Sequence, residues 1–433
     1  MPLPQQQRID GIKKFVANNK PVGKRVINYG DLKNVTIDVY RIPVELLIFN
    51  QHNGRINIEM SSDEHETPGV SAVYDQALED KICKYLWDSS ISTNKITLKS
   101  IQENGQRVAG IITEDGVIVD GNRRAMLIIK HAKLDTYLTG ILPDTYSEDS
   151  AKKIRKLETT IQFDQDKITD FNPLNKYLTV TNLVDQDKHD FKEIEKMFGH
   201  SVKKGEPEKW YNTFKIMKDY LEYIEAEGIY TLLKIGGTNS SKEEGFLQTQ
   251  QILKQMDKGT LNTDTPMEVH ARKYRQMMFD LLRAESVTTP QDYRLMGKGT
   301  EKSGLLNHEE LFLEMFDKHK KIMEPVKDLP SLEKIAKDNP NLSIKDVGLK
   351  KEEEVKKVCQ EKLADLFKEY TGRAKTIVQG EKPELRLIKI LSQMKILEKD
   401  KELLTESENI DEITENVRAT SKLIESIKRE IGL

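Results

Sequence analysis

At 433 residues the chain is long enough for two or three domains, and a hydrophobic content of 37% can fill at least one sizeable core. Charged side chains make up 32% but nearly cancel, to a formal −3, which excludes a chain that is basic throughout and leaves only local patches for a polyanionic partner. The two cysteines, Cys83 and Cys359, are too far apart in sequence to point to a disulfide framework or a thiolate metal site, and with no apolar leader and no apolar run of about 18 residues the expected setting is cytoplasmic, away from membranes.

The first 33 residues read as a short helix, Ile9 to Val16, followed by loop. Val35 to Pro43 alternates as a strand does, and Pro43 with Val44 to Phe49 begins a helical turn. Residues 50–56 form a polar loop containing Arg55, and residues 57–72 continue as loop. Helical spacing returns at Asp75 to Asp88, where Leu78, Ile82, Tyr85 and Leu86 recur on one face, and again at Ile96 to Glu103, ending near Gly105. Ile111 to Thr113 and Val117 to Val119 are β-branched runs on either side of Asp115-Gly116, a pair favoured in hairpins because the turn needs positive φ. A helix through Met126, Ile129 and Leu134 follows, and Thr136 to Leu142 closes the segment as another strand. Short helices mixed with short strands predict one α+β domain over residues 1–146.

Beyond Ser147 the strand signal fades, apart from a short candidate at Thr179 to Leu183. Helices are expected at Ser150 to Gln162, Leu174 to Thr181, Phe191 to Phe198, Glu208 to Glu227, Glu243 to Met256 and Met267 to Arg283, with a linker or surface excursion at Lys327 to Lys345. This divides the remainder into a helical domain at 147–232, a helical domain with linker at 233–345 and a C-terminal helical, coiled-coil-like region at 346–433. In the last of these, Leu387, Ile390, Met394, Leu397 and Leu404 keep a heptad rhythm, and after a polar break Ile410, Ile413, Val417, Ile424, Ile427 and Ile431 resume it. Such a pair of segments fits an antiparallel helical hairpin packed on its own domain, or a homodimer element.

Chemistry concentrates at Asp120-Gly-Asn-Arg-Arg124. Gly121 admits a backbone conformation closed to other residues, Asn122 is a good N-cap, and the helix start that follows offers unpaired N–H groups beside two guanidinium forks. Those donors match phosphate oxygens. Arginines pairing with surface carboxylates around an Asp-Gly turn would produce the same local pattern, so both readings stand at this point.

Three stretches in order carry a resemblance. Ile42-Pro-Val-Glu45 with Asn53-Gly-Arg55, a helix leading to Gly105, and Val119-Asp-Gly-Asn-Arg-Arg-Ala125 together resemble the N-terminal domain shared by ParB partition proteins and sulfiredoxin. The likeness spans about residues 34–225. It implies an α+β ParB/sulfiredoxin-like domain followed by a mainly α-helical region with a helix-turn-helix-like element. It further implies a nucleotide triphosphate, CTP or ATP, held with Mg²⁺ by Arg55, Gly105, Asp120, Gly121, Asn122, Arg123 and Arg124. Asn122 stands where partition proteins carry Glu, which leaves the base open. A third box, aligned without gaps through Phe171-Asn-Pro173, places Asp164 and Gln165 as magnesium ligands, with Ile168 where an arginine would stand. Phe191 to Gly199 followed by Glu208 to Leu221 resembles the helix-turn-helix of the same proteins, so that Lys209, Asn212, Lys215 and Lys218 would meet double-stranded DNA. Across His189 to Glu222, however, seven lysines face seven acidic residues, a weak electrostatic footprint for that partner.

Three functions are compatible with these residues. The first is a nucleotide-binding switch acting on or with DNA, with or without NTPase activity. The second is a metal-dependent nuclease or phosphotransferase of the same superfamily, for which Asp120 is the catalytic candidate; no cysteine lies in the box, which sets sulfiredoxin chemistry itself aside. The third is a non-catalytic DNA-binding or scaffold protein.

Overall fold

The computed structural model describes residues 2–30, 32–66, 69, 73–164, 173–199, 202–233, 240–258, 266–287, 289–298, 303–378, 394–395 and 410–430. An N-terminal region built on a six-stranded mixed sheet is followed by a region made mostly of helices.

The sheet runs in the order β1 (Gly23–Tyr29), β2 (Leu32–Pro43), β6 (Thr136–Ile141), β4 (Gly110–Ile112), β5 (Val117–Asp120), β3 (Ile48–Phe49). β1, β2 and β6 pair antiparallel, β6 and β4 pair parallel, β4 and β5 form the antiparallel hairpin, and β3 lies parallel to β5. Successive residues on a strand point to opposite faces. Ile111 and Val119 join one core with Ile27, Ile37, Leu142 and the residues Ile154 and Leu157 of α6 (Glu148–Asp164), while Ile112 and Ile118 join another on the far side. The second core is closed by α1 (Gln5–Asn18), α3 (Gln76–Asp88), α4 (Ile91–Asn104) and α5 (Asn122–Met126). Both faces of β4 and β5 are therefore covered, which is why their apolar runs are nearly continuous. α6, which a boundary at residue 146 would assign to the helical part, is thus a layer of the sheet.

At the hairpin Gly116 has φ of +82°, and a Cβ there would sit 2.1 Å from the Leu46 carbonyl oxygen. Asp115 is a buried hub whose carboxylate accepts from Gln5, Thr113 and the Tyr146 backbone, tying α1 to the turn.

Several expectations change in the structure. The loop expected before residue 33 contains β1, an edge strand in which only Ile27 and Tyr29 turn inward and the apolar signal is correspondingly thin. Residues 57–72, expected as loop, contain α2 (Asn57–Glu66), a polar helix wedged between the two regions, with Ile58 in the helical core and Met60 in the sheet core. The strand candidate at Thr179 to Leu183 lies inside α7 (Pro173–Asp185), where β-branched residues are buried against other helices and tertiary packing overrides strand preference. The stretch from Lys327 to Lys345 includes α14 (Leu332–Asp338) with a Ser331 cap.

The helical region continues through α8 (Phe191–Phe198), α9 (Glu206–Tyr223), α10 (Ser240–Asp257), α11 (Met267–Ala284), α12 (Pro290–Met296), α13 (Glu309–Met323) and α15 (Ile344–Val378), which share one core. The last helix, α16 (Ile410–Glu430), keeps Val417, Leu423 and Ile427 exposed; of the earlier heptad segment, only Met394 falls within the described residues. Both cysteines are free and buried, and among the described residues no helix is long and apolar enough to cross a membrane.

Candidate functional site

β5 delivers the chain to Gly121, whose φ of +92° is left-handed and whose missing side chain leaves room for Tyr137: a Cβ would lie 2.4 Å from the Tyr137 hydroxyl. Gly121, and not Asn122, is the residue that caps α5. Asn122 turns back instead. Its buried amide donates to the Ile118 carbonyl at 2.7 Å, and its oxygen accepts the Asn50 backbone N–H at 2.9 Å. α5 then opens directly into a π-helical turn, Leu127–Ala132; such wide turns recur at functional sites.

The partner of Asn122 belongs to the loop carrying Arg55, and that loop has a second anchor. Glu158 of α6, 5% exposed, accepts from Asn50 Nδ2 at 3.2 Å, Asn53 Nδ2 at 2.7 Å, the Gly54 N–H at 3.2 Å and Gln162 Nε2 at 2.9 Å. All four donors are neutral amides. Burial pushes the Glu158 carboxyl up to about 8, against the pull of the Gly54 and Gln162 donors, with Asp120 raising it further. Glu158 is the residue that sequence reasoning missed. The signal available was a glutamate four residues before a glutamine, Glu158 and Gln162, on one face of a helix.

At its C-terminal end the loop is held by the helical region. The Arg55 N–H donates to Asn53 Oδ1, the Arg55 carbonyl accepts from Asn175 Nδ2 at 2.8 Å, and Asn175 Oδ1 accepts the Ile58 N–H at 2.9 Å. Residues 50–58 therefore touch β5–α5, α6 and α7 within a few positions.

The remaining box residues are engaged as follows. Asp120 pairs with Arg25 at 2.8 Å, and Arg25 also donates to the Ala109 carbonyl. Arg124 donates to the Val108 carbonyl at 3.1 Å, and Arg123 beside it is half-buried. Gly105 caps α4 with φ of +69° and opens the segment that presents the Val108 and Ala109 carbonyls. The loop that carries Arg55 meets the box through Asn50 and Asn122, and the segment that follows Gly105 meets it through the Val108 and Ala109 carbonyls.

The expected metal ligands are Asp164 and Gln165. Asp164 is the last residue of α6 and its side chain lies outside the described residues, as does Gln165. Asp120 pairs with Arg25, and Glu158 is taken up by four N–H donors. Among the described residues no three His, Cys, Asp or Glu side chains are grouped to hold a metal.

Lys209, Asn212, Lys215 and Lys218 lie on α9, whose other face buries Trp210, Phe214 and Met217 in the core. Lys215 sits 4.3 Å above the Tyr211 ring and Lys218 5.6 Å above Phe214. The cleft between α9 and α10 mixes Lys215, Lys218 and Lys254 with Glu208, Asp219 and Asp257, and Lys254 pairs with Glu208 at 3.0 Å. This surface is charge-balanced. Comparison with family models, with curated proteins and with solved structures finds no match to this chain.

Proposed function

We propose that this chain is a ParB/sulfiredoxin-like nucleotide-binding switch: an NTP, as its magnesium complex, places its phosphates against Gly121, Arg123, Arg124 and Arg55, and the helical region responds. The observation that carries the reading is the 2.9 Å hydrogen bond from the Asn50 N–H to Asn122, which joins two segments more than sixty residues apart at the box. The second anchor at Glu158 and the third at Asn175 supply the route to the helices. DNA contact through α9 and homodimerisation through α16 belong to the same reading.

Titration calorimetry with ATP, CTP, GTP and UTP in the presence of Mg²⁺ tests it. At least one nucleotide is expected to bind, and Arg123→Ala and Arg124→Ala are each expected to weaken it ten- to a hundredfold, since a hydrogen bond to a charged group contributes about 1.5–3 kcal/mol. Unchanged binding in both variants, or no binding by the wild type, overturns the assignment. A mobility shift on duplex DNA with and without the bound nucleotide then reads whether DNA is the responding partner.

A further inference from the structure

β1 stands at the end of the strand order, and among the described residues no strand pairs with its far side. Such an edge presents unpaired N–H and C=O groups that can take up another extended chain. A groove of about 350 Å³ runs between β1 and α6, bordered by residues 25–28 of the strand, by Asn34 across the turn and by Leu157, Thr160 and Ile161 of the helix. Side chains of consecutive strand residues point to opposite faces, so a groove that all four border opens around the edge itself. On the α6 side Leu157 and Ile161 make it apolar, and on the other Val26 is 60% exposed.

The charge along this edge is mostly of one sign. Residues 20–34 carry Lys20, Lys24, Arg25 and Lys33 against a single acid, Asp31, and the Lys153 side chain of α6 comes within 3.8 Å of where a Cβ on Gly30 would stand. Lys24 lies across the ladder from Asp38, yet none of these four lysines has an ion pair among the described residues. Arg25 donates from Nη1 to Asp120 and to the Ala109 carbonyl, and its remaining N–H groups have no partner among the described residues. Lysines on an open edge repel a second strand that carries the same charge and admit one that carries carboxylates. A second copy of this chain would bring the same lysines. We infer that the outer edge of β1 is a docking site for an extended acidic segment of a partner protein, which adds a strand to the sheet. Its alternate side chains rest against Leu157 and Ile161, and its carboxylates stand beside Lys24. This docking does not depend on nucleotide binding at the box.

The test titrates the full chain into a fluorescein-labelled peptide of alternating glutamate and valine, seven residues long, and reads anisotropy. Two control peptides accompany it, one with lysine in place of every glutamate and one with alternate backbone nitrogens methylated. The acidic peptide is expected to saturate with a Kd below about 1 mM, and both controls to bind at least about tenfold more weakly. Hydrogen exchange is expected to slow at the amides of β1 when the acidic peptide is present. Lys24→Glu, which reverses a charge, and Thr160→Trp, which fills the groove, are each expected to weaken the acidic peptide about tenfold or more. Because Lys24 is exposed and Thr160 half-buried, unfolding midpoints close to wild type are expected in both variants. No saturable binding, equal binding of the methylated peptide, or protection that falls outside β1 overturns the inference. Two further outcomes overturn it in favour of another occupant. One is a dimer in sedimentation that Thr160→Trp dissolves, which assigns the edge to a second copy; the other is protection of β1 by a DNA duplex and not by the peptide, which makes it a polyanion surface.

Discussion

The loop junction and the helical core each bury a glutamate, and they hold it in opposite ways. In the core Glu352 of α15 faces Arg283 of α11, whose Nε and Nη2 donate to it at 2.9–3.0 Å, both residues being under 10% exposed. Nearby, Asp280 Oδ2 lies 2.8 Å from His319 Nε2, and Asp280 Oδ1 accepts from the Tyr223 hydroxyl at 2.8 Å. At the junction Glu158 has only amide donors. A carboxylate matched to a guanidinium fixes a geometry. One matched to neutral amides keeps its proton affinity near neutral pH, and it is attached to a loop that other groups also hold.

The largest effect that would break this contrast lies in the core. Arg283→Ala leaves Glu352 buried without its cation and is expected to cost about 3–5 kcal/mol in urea unfolding; a loss under 1 kcal/mol would mean that the pair does not matter to the fold. Gly121→Ala comes next, at about 2 kcal/mol, because it combines a left-handed φ with a clash at Tyr137. The same measurement reads it, and a neutral result would show that the turn relaxes. The third is pH dependence. Glu158 has a folded pKa of about 8, above its ordinary 4.5, so the folded state holds the proton more tightly than the unfolded one. Its stabilising contribution is complete below about 4.5 and declines as pH rises towards 8, with a slope approaching 1.4 kcal/mol per pH unit. Unfolding free energies measured at intervals across that window are expected to lose this slope in Glu158→Gln; identical slopes in the two proteins would remove Glu158 from the account. The smallest effect is Lys215→Ala. It removes a cation–π contact at Tyr211 and is expected to cost about 0.5–1 kcal/mol in stability.

The same contrast separates what was legible in the sequence from what was not. The hairpin at Asp115-Gly116, the strand ending at Asp120 and the helices at Phe191–Phe198 and Met267–Ala284 were readable because each rests on local chemistry: turn residues, period-two or period-3.6 patterning, caps. The strand β1 and the helix α2 were not, since one is an edge with two inward residues and the other a polar helix held by neighbours on both sides. Within the candidate site, residues 120–124 stand out by local chemistry, and Arg55 by its place in the resemblance. The role of Asn122 as a tie to Asn50, and of Glu158 as the hub behind the loop, depends on contacts across 72 and more than 100 residues, which local pattern does not carry.

Asn50 holds both anchors at once, giving its backbone N–H to Asn122 and its side-chain amide to Glu158. One residue with two hands makes the two grips thermodynamically reciprocal. If a ligand at the box is bound more tightly when α6 occupies one position, then whatever holds α6 in that position must raise the ligand's affinity by the same factor, and the ligand must favour that partner equally. A titration begun from either end of this loop therefore measures one coupling constant, and the two values have to agree.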